Sequence, residues 1–194
     1  MKEKIPHSNS FVPSGSEIIR IILTGAESTG KSTLAKQLAE YYETVFIPEY
    51  ARTYVENLGR SYNYEDVVHI AKVQTKIEAA YLYKSKKYLF IDTGLIVTKV
   101  WFQEVYGKYP DWLNNAIVKN LPDFYLICDI DLPWKNDAVR ENGTFEQRKY
   151  LMNKYIEEIK KFGVHYAIIK GQGDARLKNA INEIEKLSRY VKKK

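Results

Sequence analysis

Cysteine is nearly absent from this sequence of 194 residues, which contains only Cys128. A single cysteine excludes an intrachain disulfide and a zinc site built from several cysteines. Cys128 lies within the apolar run FYLICD, a pattern that predicts a buried thiol. Because a chain without a disulfide framework is typical of the reducing interior of the cell, we expect a cytoplasmic protein.

Long hydrophobic runs are also absent, since no apolar stretch approaches the ~18 residues that a membrane-spanning helix needs. The N-terminus lacks the apolar segment of a secretory signal. It is instead rich in Pro, Ser and Gly, which predicts a flexible arm over residues 1–17. We expect one domain over residues 18–190, a basic tail over residues 191–194 and no membrane partner.

Charge of one sign is not concentrated, although the net charge is +6. No basic stripe with interleaved aromatic residues is visible, so we expect no nucleic-acid partner. A modest positive net charge is equally compatible with binding of an anionic small molecule. The sequence leaves the oligomeric state open.

Apolar strand-like runs alternate with amphipathic helical segments along the chain. Five runs predict strands, within the segments EIIRIILTG, VFIPE, KYLFID, DFYLICD and VHYAIIKG. They are continuously apolar, which is typical of a parallel sheet covered by helices on both faces. We therefore predict an α/β fold with five parallel strands, in which ligands bind beyond the carboxyl ends of the strands.

The segment GAESTGKS, residues 25–32, matches the phosphate-loop pattern G-x-x-x-x-G-K-[ST] between a predicted strand and helix. Its glycines allow the backbone to turn its N–H groups toward an anion at the helix N-terminus. We expect Lys31 to reach the β- and γ-phosphates of ATP as a catalytic residue and Ser32 to bind Mg²⁺. The predicted nucleotide-binding residues are Gly25, Glu27, Ser28, Thr29, Gly30, Lys31, Ser32 and Thr33.

Two carboxylates follow predicted strands. Asp92 ends YLFID and is expected near Ser32, holding Mg²⁺, if the third strand lies beside the first; it is also a candidate helix N-cap. Glu49 ends VFIPE and is expected to accept a proton from an attacking hydroxyl. Arg52 is placed to pair with Glu49, which would lower the pKa of Glu49 and keep it ionised; a structural ion pair is the alternative.

Two polar residues, Gln74 and Glu78, interrupt an inward-facing helical stripe. Because an unpaired buried polar group is costly, they face either a polar ligand in the cleft or neighbouring backbone groups. The periodicity leaves both alternatives open.

The segment DLPWKNDAVRENGTFEQR is the expected position of a mobile lid. Arg140, as a catalytic residue, or Arg148 would neutralise charge on a transferred phosphoryl group; a solvated loop is the alternative. Trp101, Trp112 and Trp134 are core or loop anchors, or one of them stacks on a substrate ring. We take Trp101 as the candidate for stacking.

Several motifs together resemble the ribosylnicotinamide kinase module at the C-terminal end of the bacterial NAD-biosynthesis regulator and related P-loop ATPases. The motifs are GAESTGKST, IPEYAR, IAKVQ, FIDT, TKVW and LPWKNDAVREN, and the resemblance covers residues 21–169. It implies phosphorylation of the 5′-hydroxyl of nicotinamide riboside with ATP and Mg²⁺. It also implies the sheet order 2-3-1-4-5, with Asp92 beside the phosphate loop, Glu49 across the cleft as the base and Gln74 reading the nucleobase.

The full regulator carries a DNA-binding module and an adenylyltransferase module before its kinase module, whereas residues 1–20 alone precede the resemblance here. We therefore expect a stand-alone kinase with a small nucleoside substrate. The alternatives are a P-loop ATPase or switch protein that has no metabolite acceptor and a kinase for another nucleoside. A second polar pocket beside the phosphate site would distinguish a kinase from such an ATPase.

Overall fold

The structure, a computed structural model, describes residues 18–135 and 143–191, with side chains up to residue 187. The predicted N-terminal arm, Arg140 and the last three lysines lie outside the described residues. The five predicted strands are all present as β1 (Ile19–Thr24), β2 (Phe46–Ile47), β3 (Tyr88–Asp92), β4 (Phe124–Cys128) and β5 (Tyr166–Ile169). The helices are α1 (Lys31–Tyr41), α2 (Tyr50–Glu56), α3 (Tyr64–Leu82), α4 (Leu95–Tyr106), α5 (Trp112–Lys119), α6 (Phe145–Lys161) and α7 (Gly173–Val191).

The strands form one parallel sheet in the order β2-β3-β1-β4-β5, which confirms the predicted fold class and strand order. The first strand lies at the centre, between β3 and β4. Leu23 of β1 is paired with Asp92 of β3, so the last residue of β3 lies beside the end of β1. This register places the phosphate loop and Asp92 at the same edge of the sheet.

The sheet has a separate apolar core on each face because successive strand residues point to opposite sides. Ile22, Leu89 and Ile91 pack toward one face, in a cluster with buried residues of α3, α4, α5 and α6. Leu23 and Phe90 pack toward the other, with buried residues of α1 and α7. Burial on both faces explains why the strands read as continuous apolar runs.

Helix α6 begins with a capping box. The Thr144 hydroxyl accepts a hydrogen bond from the Gln147 N–H, and the Gln147 side chain accepts one from the Thr144 N–H. These bonds satisfy backbone donors of the first helical turn and fix its start within the last residues of the proposed lid segment. None of the helices in the described part of the chain combines the length and apolar character needed to cross a bilayer.

Candidate active site

The loop between β1 and α1 has the geometry of a phosphate loop. Gly25 has a φ of 142°, and a Cβ atom there would lie 2.7 Å from the backbone oxygen of Cys128. Gly30 is left-handed, with a φ of 77°, and is the N-cap of α1. The Thr29 hydroxyl donates to the Ala26 carbonyl at 2.7 Å. The two glycines therefore occupy positions where a larger side chain would strain the backbone or collide with β4.

The loop lines a cleft of about 820 Å³ at the carboxyl edge of the sheet. The side chain of Lys31 curls over this loop, and its Nζ donates to the carbonyl oxygens of Gly25 and Ala26 at 3.0 Å each. All eight predicted nucleotide-binding residues line the cleft, together with residues of α2, α4 and α6. The nucleotide-binding role of these eight residues remains a prediction.

Asp92 lies beneath the loop with a fully buried side chain. The Thr93 hydroxyl donates to its Oδ1 at 3.4 Å, while Oδ2 is buried without a hydrogen-bond partner among the described residues. Burial raises the pKa of Asp92, opposed by the Lys31 ammonium and the nearby Ser32 hydroxyl. The alternative role as a helix cap is wrong, because Gly94 is the N-cap of α4.

The arrangement fits a magnesium ion held jointly by protein and nucleotide. The described residues contain no group of three His, Cys, Asp or Glu side chains able to hold a metal. Mg²⁺ at nucleotide sites takes many of its ligands from phosphates and water, so one hydroxyl and one carboxylate are sufficient on the protein side. The buried, unpartnered Oδ2 of Asp92 and the neighbouring Ser32 are the groups that would serve it.

We expect Asp92→Asn to raise the Mg²⁺ concentration needed for half-maximal ATP turnover by about tenfold. Loss of a side chain that hydrogen-bonds to the ligands of a metal ion typically lowers metal affinity by about 10–100-fold. Saturating Mg²⁺ should restore most of the rate. A titration of the rate with MgCl₂ measures this effect, with Asp111→Asn, an exposed carboxylate outside the cleft, as the control. An unchanged Mg²⁺ requirement in Asp92→Asn would remove Asp92 from the metal site.

Glu49 follows β2 and is half-buried in the cleft wall. It is the N-cap residue of α2, yet its side chain makes no capping hydrogen bond. Burial raises the pKa of Glu49, Lys31 and Arg52 lower it, and Asp92 and Glu27 raise it further. The expectation that Arg52 would hold this pKa below its usual range is wrong, because desolvation outweighs the attraction of both cations.

Arg52 lines the cleft, as its predicted role in substrate binding requires. Its Nε pairs with Glu56 at 2.9 Å along the same helix. That pair is substantially exposed and contributes little stability. The guanidinium is therefore paired along α2 and belongs to the lining of the cleft.

Gln74 and Glu78 do not line the cleft, so their predicted contact with substrate is wrong for this geometry. Both are buried in α3. Glu78 pairs with Arg20 of β1 at 2.6 Å, and Gln74 Nε2 lies 3.3 Å from Glu78 Oε1 and 3.5 Å from the Thr93 carbonyl. The polar groups of Gln74 and Glu78 are thus hydrogen-bonded to each other, to Arg20 and to the Thr93 carbonyl. These partners are protein groups that do not belong to the cleft lining, except for Thr93.

The far end of the cleft is formed by an aromatic group with one carboxylate. Trp101 lines this end, as expected, and meets Tyr62 edge-to-face with ring centroids 4.9 Å apart. Glu104 lies one helical turn beyond Trp101 and accepts a hydrogen bond from the Tyr150 hydroxyl at 3.1 Å. Tyr62, Glu104 and Tyr150 line the cleft and were not predicted from the sequence. The spacing of Trp101 and Glu104 at i and i+3 was the available signal for Glu104.

The proposed lid is described only at its two ends, and Arg140 lies outside the described residues. Arg148 does not line the cleft; it is buried and donates to the carbonyl oxygens of Leu132 at 3.0 Å and Ser28 at 3.4 Å. Trp134 packs near Gly143, where a Cβ would lie 3.1 Å from the indole ring. Neither Trp134 nor Trp112 lines the cleft, which leaves Trp101 as the tryptophan placed for stacking.

A family profile described as an AAA domain matches residues 20–176. The chain belongs to this AAA domain family. Two curated relatives are the trifunctional NAD biosynthesis/regulator proteins NadR of Salmonella typhimurium and Escherichia coli. The Salmonella protein is 27% identical over 156 residues, which are 77% of this chain and 38% of that protein. The E. coli protein is 26% identical over 173 residues, which are 86% of this chain and 42% of that protein.

Solved structures with a similar fold include NadR and several nucleoside and nucleotide kinases. A crystal structure of NadR in complex with NR has a TM-score of 0.71 at 22% identity and covers 88% of this chain and 50% of that chain. Deoxyadenosine kinase from M. mycoides with bound dATP has a TM-score of 0.60 at 17% identity and covers 86% of this chain and 99% of that chain. These similarities confirm the P-loop nucleoside-kinase fold and the predicted resemblance to NadR.

The matched share of each relative differs between the NadR proteins and the deoxyadenosine kinase. The chain spans about two fifths of the length of the curated NadR relatives it matches. The deoxyadenosine kinase, in contrast, is matched over nearly its whole length. The shared part therefore corresponds to the P-loop nucleoside-kinase fold.

Proposed function

We propose that this protein is an ATP-dependent kinase that phosphorylates the 5′-hydroxyl of nicotinamide riboside to give nicotinamide mononucleotide. The observation that carries the proposal is one continuous cleft with two chemically different ends. One end is the phosphate loop, and the other is the aromatic group of Tyr62 and Trp101 with Glu104. Glu49 lies in the wall of the same cleft. An ATPase that only positions water needs no second pocket of this kind.

Phosphoryl transfer in such a cleft assigns a distinct task to each group. The riboside hydroxyl attacks the γ-phosphorus of ATP, the bond to the leaving ADP oxygen breaks, and Glu49 accepts the hydroxyl proton. Lys31 stabilises the charge that develops on the phosphoryl oxygens. When bound, Mg²⁺ neutralises phosphate charge, and Ser32 and Asp92 are the groups of this chain that would hold it. The ligand NR in the similar NadR structure and the NadR relatives support the choice of acceptor.

The far end of the cleft suits a flat cation. The nicotinamide ring of the riboside is positively charged, whereas the bases of common nucleosides are neutral. Trp101 and Tyr62 offer aromatic faces and edges, and a cation over such a ring gains roughly 0.5–2 kcal/mol. Glu104 adds a negative charge at the rim. Two carboxylates, Glu49 and Glu104, thus make the acceptor side of the cleft more favourable for a cationic ring.

We expect kcat/KM for nicotinamide riboside to exceed that for cytidine or uridine by at least about tenfold, equivalent to ~1.4 kcal/mol in transition-state binding. ADP release with each acceptor, beside a reaction without acceptor, measures the ratio. In the same assay Glu104→Gln should lower kcat/KM for nicotinamide riboside about 3–5-fold and leave the neutral nucleosides unchanged. An exposed carboxylate is worth up to ~1 kcal/mol toward a cation.

The matched control is Glu157→Gln, which removes an exposed carboxylate of α6 outside the cleft lining. Equal rates for charged and neutral acceptors would refute the choice of substrate. ADP release that no acceptor changes would favour an ATPase without a metabolite substrate.

A further inference from the structure

Two buried arginines from helices far from the phosphate loop in sequence donate hydrogen bonds to backbone carbonyls of that loop. Arg176 in the first turn of α7 and Arg148 in α6 are each only 4% exposed. Arg176 Nη1 donates to the Thr29 carbonyl at 2.8 Å, and Arg148 Nη2 donates to the Ser28 carbonyl at 3.4 Å. Neither arginine lines the cleft. They contact the loop on the side away from the phosphate site.

Arg176 makes the more extensive set of contacts. Its Nε donates to the Gly171 carbonyl at 2.6 Å, and its Nη2 donates to the Asp131 carboxylate and to the Asp129 carbonyl at 3.5 Å. Asp131 Oδ2 in turn accepts from the Gly171 N–H at 2.6 Å. One guanidinium therefore connects the phosphate loop, the segment after β4 and the turn between β5 and α7.

The effect on the loop follows from peptide geometry. In a planar trans peptide the C=O and the N–H of the next residue point in opposite directions. A guanidinium that fixes the Thr29 carbonyl away from the cleft therefore directs the Gly30 N–H toward it. That N–H lies at the N-terminus of α1, where backbone donors and the helix dipole bind phosphate. Gly30 has no Cβ and a φ of 77°, so no side chain restricts the orientation of this peptide, whereas the hydrogen bond from Arg176 does.

We propose that Arg176, held by Asp131, is a positioning residue that keeps the phosphate loop in its nucleotide-binding conformation. This role deepens the proposed function, since it acts on the loop assigned there to ATP. The residue does not touch the reacting groups. Its loss is therefore expected to weaken nucleotide binding and to leave the acceptor end of the cleft unchanged.

The test measures ATP binding directly, by calorimetry with MgATP, so that it does not depend on the identity of the acceptor. We expect Arg176→Gln to raise the Kd for ATP at least about tenfold. Arg176→Lys should behave similarly, because a lysine keeps the charge and cannot reproduce the fork of donors. Asp131→Asn should raise the Kd about threefold, and the double variant should match Arg176→Gln, since both residues belong to one unit.

The control is Arg60→Gln, which breaks another arginine–aspartate pair, with Asp66, outside the cleft lining. An ATP Kd that is unchanged in Arg176→Gln, or raised equally by Arg60→Gln, would overturn the proposal. Full rescue by Arg176→Lys would also overturn it, because charge alone would then explain the effect. If Arg176→Gln does not fold, Asp131→Asn decides, and an unchanged ATP Kd in that variant overturns the proposal. Failure of the kinase proposal would appear instead as normal ATP binding without transfer to an acceptor.

Discussion

Replacing Lys31 with alanine is expected to lower phosphoryl transfer by at least about 10²–10³-fold, the range for loss of one group that stabilises transition-state charge. The fold should persist, because the side chain is bonded to two loop carbonyls and belongs to neither apolar core. A kinase assay combined with circular dichroism measures both quantities.

Lys36→Ala is the matched control for this variant. Lys36 lies in the same helix, and its side chain is 67% exposed and only loosely paired with Glu40 at 3.9 Å. It should retain full activity. Normal turnover in Lys31→Ala would show that the phosphate loop takes no part in the reaction, whatever the acceptor.

Glu49→Gln is expected to lower kcat by roughly 10²-fold or more if Glu49 accepts the hydroxyl proton. The pH profile gives a second readout. A base acts only when deprotonated, and burial raises the pKa of Glu49, so the wild-type rate should rise with pH through a pKa above the ordinary glutamate value. The glutamine variant should lose this acidic limb. Additional Mg²⁺ should not restore its rate, in contrast to Asp92→Asn.

Although Glu49→Gln is expected to lower kcat, it is expected to retain or increase the stability of the fold. Because the folded-state pKa lies above the unfolded value, the protonated form stabilises the fold at low pH, and that stabilisation is lost as pH rises through the folded-state pKa. A neutral glutamine avoids this loss, so the melting temperature near pH 7 should be equal to or above that of the wild type. Glu43→Gln, whose side chain is 84% exposed, is the control. Retained kcat in Glu49→Gln would exclude it as the base.

Local patterns were sufficient for the fold class and for the position of the phosphate loop between β1 and α1. The strands are continuous apolar runs because both faces of the sheet are buried. The spacing of Gly25 and Gly30 in the phosphate-loop motif predicts the conformation of the loop. The position of Asp92 beside the end of β1 depended in addition on the strand order that the family resemblance implies, and the pairing of Leu23 with Asp92 confirms that order. The sequence therefore predicts well whatever depends on one continuous segment.

The acceptor end of the cleft could not be predicted in the same way. Helical periodicity identified Gln74 and Glu78 as inward-facing and gave no sign that Arg20, 58 residues before Glu78, lies opposite. Tyr62 and Glu104 come from a loop and a helix that meet only in the folded chain. The direction of the Glu49 pKa shift likewise depended on desolvation, which a sequence pattern does not measure.

Cys128, at the end of β4, packs directly against Gly25 of the phosphate loop and is fully buried. Burial raises the pKa of this thiol to about 11, so at neutral pH it is protonated and shielded from alkylating reagents. Because Cys128 is the single cysteine of the sequence, we expect the folded wild-type protein to react little with maleimide dyes. Cysteines introduced on opposite rims of the cleft would therefore carry fluorophores at those sites alone, and energy transfer between them would report cleft closure without removing a native residue.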